Sequence, residues 1–317
     1  MWPKLSREEI IFENEHHDRC TLCGAPLEDG ETVAFGYNKQ QEMQYVCHNC
    51  LSKIDIKVKY MHRNRPYKTP QPNDMLWHFM DLAKFISMLK ENALYLTRID
   101  QFSDPFECAI GIIDDKPKYD AFYLDFCKQA IATAPIEDKS ELTPEYVQEH
   151  AERLFKEIAE WNKRNRVKSF VSCWHKNTVE SEAMWQLYVK DLTQGIAIQT
   201  TYTKLYNALN REPELSIGEV NYIDYTKQTV YMNDVQWYKR KSFEHEREVR
   251  VLKYVHDASD TCLGIKQPID VNMLIENVFV SPLAKQWFID VVNDILQKYN
   301  IDKTVLPSKL NTIPFYG

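Results

Sequence analysis

Four cysteines set as two Cys-x-x-Cys pairs, Cys20 with Cys23 and Cys47 with Cys50, constrain the N-terminal part of this chain more tightly than any other feature. Each such turn lets two thiolates converge on one tetrahedral ion, and a segment this short cannot fold on core burial alone. Between the pairs run a Glu28-Asp29-Gly30 turn, a strand-like Thr32-Val33-Ala34-Phe35, a polar turn and Tyr45-Val46. That order is the layout of a zinc ribbon holding one structural Zn2+. Four protein ligands leave no open coordination position, so the metal is expected to stabilise or recognise, without activating water. His16, His17 or His48 could replace a cysteine, and a redox Cys-x-x-Cys is the competing reading.

The remaining cysteines, Cys108, Cys127, Cys173 and Cys262, are scattered singly among 317 residues, which suits a reducing compartment better than a disulfide framework. No apolar run reaches the roughly 18 to 20 residues that span a bilayer. The opening Met1-Trp2-Pro3-Lys4 leads into Arg7-Glu8-Glu9, unlike a secretory signal. The expectation is a cytoplasmic protein without membrane contact. Its formal net charge of −7 disfavours general attraction to nucleic acid.

Locally the balance reverses. Lys53, Lys57, Lys59, Arg63, Arg65 and Lys68 face only Asp55, with Tyr60 and Tyr67 interleaved, ahead of Pro70 and Pro72. Cations neutralise phosphates and tyrosines stack on unpaired bases, so the ribbon and the basic arm 53–68 could hold RNA or single-stranded DNA. A solvated connector is the alternative. The length suggests about two domains: residues 1–70 as ribbon and basic linker, and 71–317 as an α+β domain.

That second domain opens with strand-like Met75-Leu76-Trp77-His78-Phe79, continues with Leu82, Phe85, Ile86 and Leu89 at helical spacing, and returns in Leu94-Tyr95-Leu96-Thr97. Residues 119 to about 166 read as a helical insertion, with Thr143-Pro144-Glu145 as a helix start and Leu154, Ile158 and Trp161 on one face. From Ser169 short β segments follow, at 170–173, 195–198, 220–222, 248–251 and 278–280. A helix is expected around Glu182 to Tyr188 and a last one from about Lys285 to Tyr299.

Eight glycines are too few and too dispersed for G-x-G-x-x-G or a P-loop, and H-E-x-x-H and G-x-S-x-G are absent. What remains is a set of polar clusters beside apolar residues: Trp77-His78-Phe79, Ser172-Cys173-Trp174-His175, and Phe243 to Arg250. If the last is extended, Glu244, Glu246 and Glu248 share one face. Three adjacent carboxylates raise one another's pKa unless cations or a ligand offset them. The alternatives are a charged edge strand, which guards against aggregation, and, for His78, a hydrogen-bonded half-buried histidine.

The segments Leu76–Phe79, Leu94–Glu107, Ser172–His175, Glu180–Tyr188 with Gly195–Ile198, and Glu246–Arg250 resemble, in order and spacing, the blocks of bacterial domain-of-unknown-function family 2971, over about residues 74–310. The block order also resembles the ADP-ribosyltransferase fold at a distance: a strand histidine followed by a helix, a Ser/aromatic strand, and a late Glu-x-Glu strand. That resemblance implies an α+β fold with a mixed, mainly antiparallel sheet. It further implies NAD as substrate, with His78 anchoring the dinucleotide, Ser172 supporting the nicotinamide pocket, Glu248 bonding the nicotinamide ribose and Glu246 orienting the acceptor. Trp174, Trp185 and Tyr188 could stack on nicotinamide or adenine, although at helical spacing Trp185 and Tyr188 are more often core residues, and Arg98 could pair with the pyrophosphate. Departure of nicotinamide creates an oxocarbenium-like centre that a fixed carboxylate stabilises. Similar bacterial proteins imply a toxin or antiviral-defence effector, acting on nucleic acid or an associated protein and held by a protein partner or antitoxin. Two other readings stay open: a non-enzymatic nucleic-acid-binding or sensor module, and a metal-dependent nuclease using Asp104, Glu107, Glu246 and Glu248.

Overall fold

The computed structural model describes residues 19–28, 31–37, 43–53, 57–61, 67–132, 142–210, 212, 214–230 and 234–315. Its contacts divide the chain into two compact units, residues 1–66 with 111–164, and residues 67–110 with 165–317. The N-terminal stretch of the first unit ends at Pro66 and the second unit begins at Tyr67. The helical insertion, however, groups with the N-terminal residues, so the first unit is discontinuous in sequence.

In the first unit β1 (Thr32–Tyr37) pairs antiparallel with β2 (Met43–Val46) and with β3 (Lys57–Met61), giving the order β2-β1-β3. The stretch expected as a basic linker therefore contributes a strand, with Lys57 opposite Gly36 and Lys59 opposite Ala34. Its alternation of lysine with Val58 and Tyr60 is strand periodicity that the charge concealed. Arg63 and Arg65, like His16, His17, Asp29 and Gly30, lie outside the described residues.

The second unit begins with β4 (Met75–Asp81), α1 (Leu82–Glu91) and β5 (Ala93–Arg98). Helix α1 starts where the Asp81 carboxylate accepts the Lys84 N–H at 3.0 Å, and ends at Asn92, whose φ of 46° is the left-handed conformation that asparagine tolerates. Phe85, Met88 and Leu89 form its buried face. The chain then supplies α2 (Lys116–Ala132) and α3 (Pro144–Lys168), whose last residues belong to the second unit and lead into β6 (Ser169–Lys176). On α3 Leu154 and Ile158 are half-buried and Trp161 is exposed.

Then come α4 (Glu182–Tyr188), β7 (Gly195–Thr201), α5 (Tyr202–Ala208), β8 (Leu215–Glu219), β9 (Asn221–Ile223), β10 (Tyr238–Arg240), β11 (Glu248–Tyr254), β12 (Gly264–Pro268), α6 (Val271–Leu274), β13 (Asn277–Val280), α7 (Gln286–Lys298) and β14 (Val305–Leu306). Nine strands make one sheet in the order β12-β5-β6-β4-β7-β13-β14, with β11 joined to β6 and β8. Every pairing in it is antiparallel except β13 with β14. The expected α+β class with a mixed, mainly antiparallel sheet is what the chain adopts.

Alternation along the strands sorts the two faces. Leu76, Met80, Phe170, Trp174, Ile196, Ile198, Val249 and Val251 join the main core with Phe85 of α1, Leu205 of α5 and Phe288 of α7. Trp77, Phe79, Ala197 and Phe279 pack on the opposite face with Met184 and Trp185 of α4. Each such buried large side chain contributes about 1.5–3 kcal/mol of burial free energy. The feature that matters for function lies at β6. Its C-terminal end pairs with β4, through Trp77 opposite His175, while its N-terminal half pairs on the same side with β5, through Thr97 opposite Val171. Strands β4 and β5 therefore part along β6 and leave an opening in the sheet.

Candidate functional site

Two sites emerge, one in each unit. In the first, Cys20, Cys23, Cys47 and Cys50 bring their sulfurs within 4.8 Å of one another, and Cys23 Sγ lies 3.7 Å from Cys47 Sγ. A tetrahedron with metal–sulfur bonds of about 2.3 Å has edges of about 3.8 Å, so the spacing suits a metal such as zinc. The knuckles are held by backbone bonds, Cys20 N–H to Ala25 at 2.8 Å and Cys50 N–H to Cys47 at 2.9 Å. All eight cysteines are free thiols. Burial and the neighbouring sulfurs push Cys50 up to about 12. Cys20, raised by burial but lowered more by backbone N–H groups, falls to about 7. Thiols this crowded are satisfied by a cation. His48 stays exposed, its backbone N–H bonded to Glu31, and is not among the clustered ligands. Four cysteine ligands would leave a bound ion no open coordination position.

The second site is a cavity of about 420 Å³ at the opening between β4 and β5. That is within the roughly 300–1,000 Å³ typical of small-molecule sites. His78 on β4, Ser172, Trp174 and His175 on β6, Tyr188 at the end of α4, and Glu246 and Glu248 all line it. Register explains how. His175 stands opposite Glu248 of β11 on one side and Trp77 of β4 on the other, making a tryptophan, histidine, glutamate row across three neighbouring strands. By the two-residue period, Ser172 and Trp174 belong to the other face of β6, and the cavity reaches both because the sheet is open there.

One wall is an ion cluster. Arg250, fully buried, sends Nε to Glu248 Oε1 at 2.5 Å, one terminal nitrogen to Glu107 at 2.5 Å and the other to the Gln236 carbonyl at 2.5 Å. Lys239 Nζ bridges Glu246 at 2.5 Å and Glu248 at 3.1 Å. Desolvation alone would raise the Glu248 carboxyl, but Arg250 and Lys239 outweigh it and hold it down at about 2. Burial pushes the Cys173 thiol well up, with Glu248 beside it adding to the effect. Burial likewise raises the Tyr188 hydroxyl, with the nearby Glu246 adding to the effect. Glu248 is therefore a fixed, ionised carboxylate, with the neighbouring thiol and phenol protonated.

Two histidines face the same space in one tautomer. His78 Nδ1 donates to the Cys173 carbonyl at 2.8 Å, replacing the strand N–H that β6 loses where β4 turns away. Burial drives this imidazole down to about 4, and Lys84 lowers it further, against the carbonyl bond. His175 Nδ1 donates to the Glu246 carbonyl at 2.6 Å, and burial lowers its pKa too. Each is neutral and keeps Nε2 as an acceptor. Ser172 Oγ, Trp174 Nε1 and His175 Nε2 are buried without a hydrogen-bond partner. A buried orphan of this kind costs about 1–3 kcal/mol, and three lining one cavity mark a place where a polar ligand belongs.

Three expectations change. Residues 241–246 form a 3-10 turn, and Arg247, with φ 41°, brings the chain into β11. Glu244 is exposed, and only Glu246 and Glu248 point to the ion cluster. The edge-strand alternative fails because β11 lies between β6 and β8 and Glu248 is buried. Arg98 does not line the cavity. It is spent on Asp100 at 2.7 Å and on the carbonyls of Asp260 and Cys262, a structural anchor in place of a pyrophosphate contact. Trp185 packs in the core beneath α4, its Nε1 bonded to Glu180 at 2.6 Å.

The four carboxylates named for a nuclease each pair with a cation of the protein. Asp104 accepts the Phe106 N–H at 3.0 Å, as a turn residue does, and pairs with Arg240 at 2.7 Å. Among the described residues only the four cysteines cluster as metal ligands. Residues that pattern alone did not single out are Lys239, Arg250 and His175. Arg250 and His175 sit in segments named above; alternation with Glu248 on β11 was the signal for Arg250, whereas His175 meets Glu248 only through the pairing of β6 with β11.

Among the described residues no helix is long and apolar enough to cross a membrane. No family model matches the chain, and no curated protein matches it.

Proposed function

We propose that the cavity binds NAD and that the protein is an ADP-ribosyltransferase, with a Zn2+-stabilised ribbon that recruits a nucleic-acid target or a protein bound to one. The observation carrying this reading is that His78, Ser172 and Glu248, far apart in sequence, stand on three neighbouring strands, β4, β6 and β11, and line one cavity. The resemblance in block order to ADP-ribosyltransferases and to family 2971 supports it.

In the reaction, the glycosidic C–N bond of the nicotinamide ribose breaks, and its electron pair leaves with nicotinamide. Positive charge develops on the sugar. Glu248, ionised down to about pH 2 and clamped by Arg250 and Lys239, is a carboxylate that needs no reorganisation to stabilise that charge. Both its oxygens are engaged, so Glu246, held by Lys239, is the carboxylate that bonds the ribose or the incoming nucleophile. The acceptor's oxygen or nitrogen bonds the anomeric carbon that nicotinamide has left, and its proton passes to the Glu246 carboxylate. His78 offers a neutral acceptor for a second hydroxyl group. Lys84 and Lys266 line the cavity beside α1 and β12, where they suit the pyrophosphate better than Arg98 does.

Lys53, Lys57 and Lys59 on and before β3 supply the ribbon's positive charge for RNA or DNA. The test is incubation with NAD labelled in the adenylate, with total RNA, DNA and protein as acceptors. Label transfer and nicotinamide release that Glu246→Gln lowers at least about 100-fold would support the reading. Unchanged NAD under all conditions would remove it.

A further inference from the structure

The cavity holds a histidine that the transferase scheme leaves unused. His175 sits mid-row on β6, between Trp77 and Glu248, and lines the cavity. Its Nδ1 is committed to the Glu246 backbone carbonyl at 2.6 Å, which fixes the tautomer. Its Nε2 is buried and has no partner. The side chain is only 6% exposed, so bulk water does not repay the lost hydrogen bond. A group held this way can only accept, and it accepts from something that arrives with an O–H or N–H.

We infer that His175 is a ligand-binding residue, its Nε2 accepting a hydrogen bond from a hydroxyl of the bound nucleotide sugar. The inference rests on the transferase reading for the identity of the ligand. It assigns to one atom the recognition of a polyhydroxylated ring beside the carboxylates. An anionic group at the same place meets Glu246 and Glu248 instead of a donor. The Trp77 and Phe79 rings close the β4 side, with Phe79 6.4 Å from the imidazole, centroid to centroid. The sugar hydroxyl is therefore held between an aromatic wall and a carboxylate wall.

A pH dependence follows. The ionisable groups around the imidazole are Glu246, His245 and Arg247 on the turn before β11, Glu248 across the register, Tyr188 on α4 and Cys173 on its own strand. Burial is the largest influence and holds the ring neutral below the ordinary imidazole value of 6.5. Protonation of Nε2 removes the acceptor, so ligand affinity is full at neutral pH and is lost as pH falls through this lowered value.

The experiment is calorimetric titration of NAD into the zinc-loaded full chain, wild type, His175→Asn and His175→Gln, at pH 7.5 and through a descending pH series. Asparagine keeps an amide N–H where Nδ1 was, and so the Glu246 bond and the fold, but carries nothing at Nε2. The expected result is that wild type loses affinity on acidification. His175→Asn binds about ten-fold more weakly at pH 7.5 with no further acid loss, and His175→Gln, which returns an amide oxygen near Nε2, recovers part of the affinity. Thermal melting of each variant checks the fold. Binding by His175→Asn equal to wild type, with the same acid loss, overturns the role of His175 and leaves the transferase reading standing. Absence of any NAD binding by folded wild type overturns both.

Discussion

The thiol cluster and the carboxylate cluster are built by opposite strategies. Four cysteines come from two short turns, each ordered by its own backbone bonds, and they need an ion that the chain does not supply. Three carboxylates and two cations come from elements as far apart as Glu107, Lys239 and Arg250, and they pair with one another within the chain. The first gains order from metal binding. The second is ordered by sheet register and gives the site a fixed field. A local motif can therefore carry its function in its spacing, whereas an assembled one carries it in which strands are neighbours.

The largest test of that contrast is metal removal. Stripping zinc with a chelator, or Cys47→Ser, should unfold the β2-β1-β3 sheet, because structural zinc contributes apparent free energies of about 10–16 kcal/mol to such folds. Limited proteolysis should then cut within residues 19–61 and spare residues 67–110 and 165–315. Equal protection of both regions without metal would break the comparison.

Arg250→Met attacks the other side. It strands the buried Glu107 and leaves Glu248 with Lys239 alone, and breaking a buried pair in this way costs about 3–5 kcal/mol. Chemical denaturation should show a drop of that size, with no release of zinc. Adding Glu248→Gln should restore part of it, since removing both partners of a buried pair is far milder than removing one.

Acid titration sharpens the point. Glu248 has its pKa depressed from 4.5 to about 2, so its ionised form contributes stability above pH 4.5, and that contribution is lost as pH falls from 4.5 towards 2. Its size is on the order of 2–3 kcal/mol. Denaturation midpoints measured across that interval should fall in wild type and flatten in Glu248→Gln. The smallest expected effect is local. Asp81→Ala removes the cap on α1 and should cost about 1 kcal/mol in the same assay, without changing the acid dependence.

Residue pattern made the periodic elements legible. Helix α1 with Phe85 and Leu89, strand β6 from Ser169 and helix α4 at Glu182–Tyr188 fall where apolar spacing puts them. Strand β3 was hidden because its lysines read as a charged arm, although Lys57 and Lys59 alternate with Val58 and Tyr60 as a strand requires. The 3-10 turn at 241–246 was hidden for the converse reason: Glu-x-Glu-x-Glu mimics a strand, and only the left-handed Arg247 breaks it. Glu246 and Glu248 could be picked out in sequence, but the partners that decide their chemistry could not. Lys239 arrives from β10 and Glu107 from the turn after β5, and no spacing along the chain encodes that meeting. Arg98 shows the same limit, since nothing near it announces the carbonyls of Asp260 and Cys262.

The opening of the sheet between β4 and β5 as a dinucleotide site is tested most directly by a crystal structure of the chain grown with saturating NAD. The account predicts the nicotinamide ribose in the cavity, within hydrogen-bond distance of Glu246 and His175 Nε2 and close to Ser172. A cavity holding only ordered waters on Ser172 Oγ, Trp174 Nε1 and His175 Nε2, or a dinucleotide bound away from β4, β6 and β11, would contradict it.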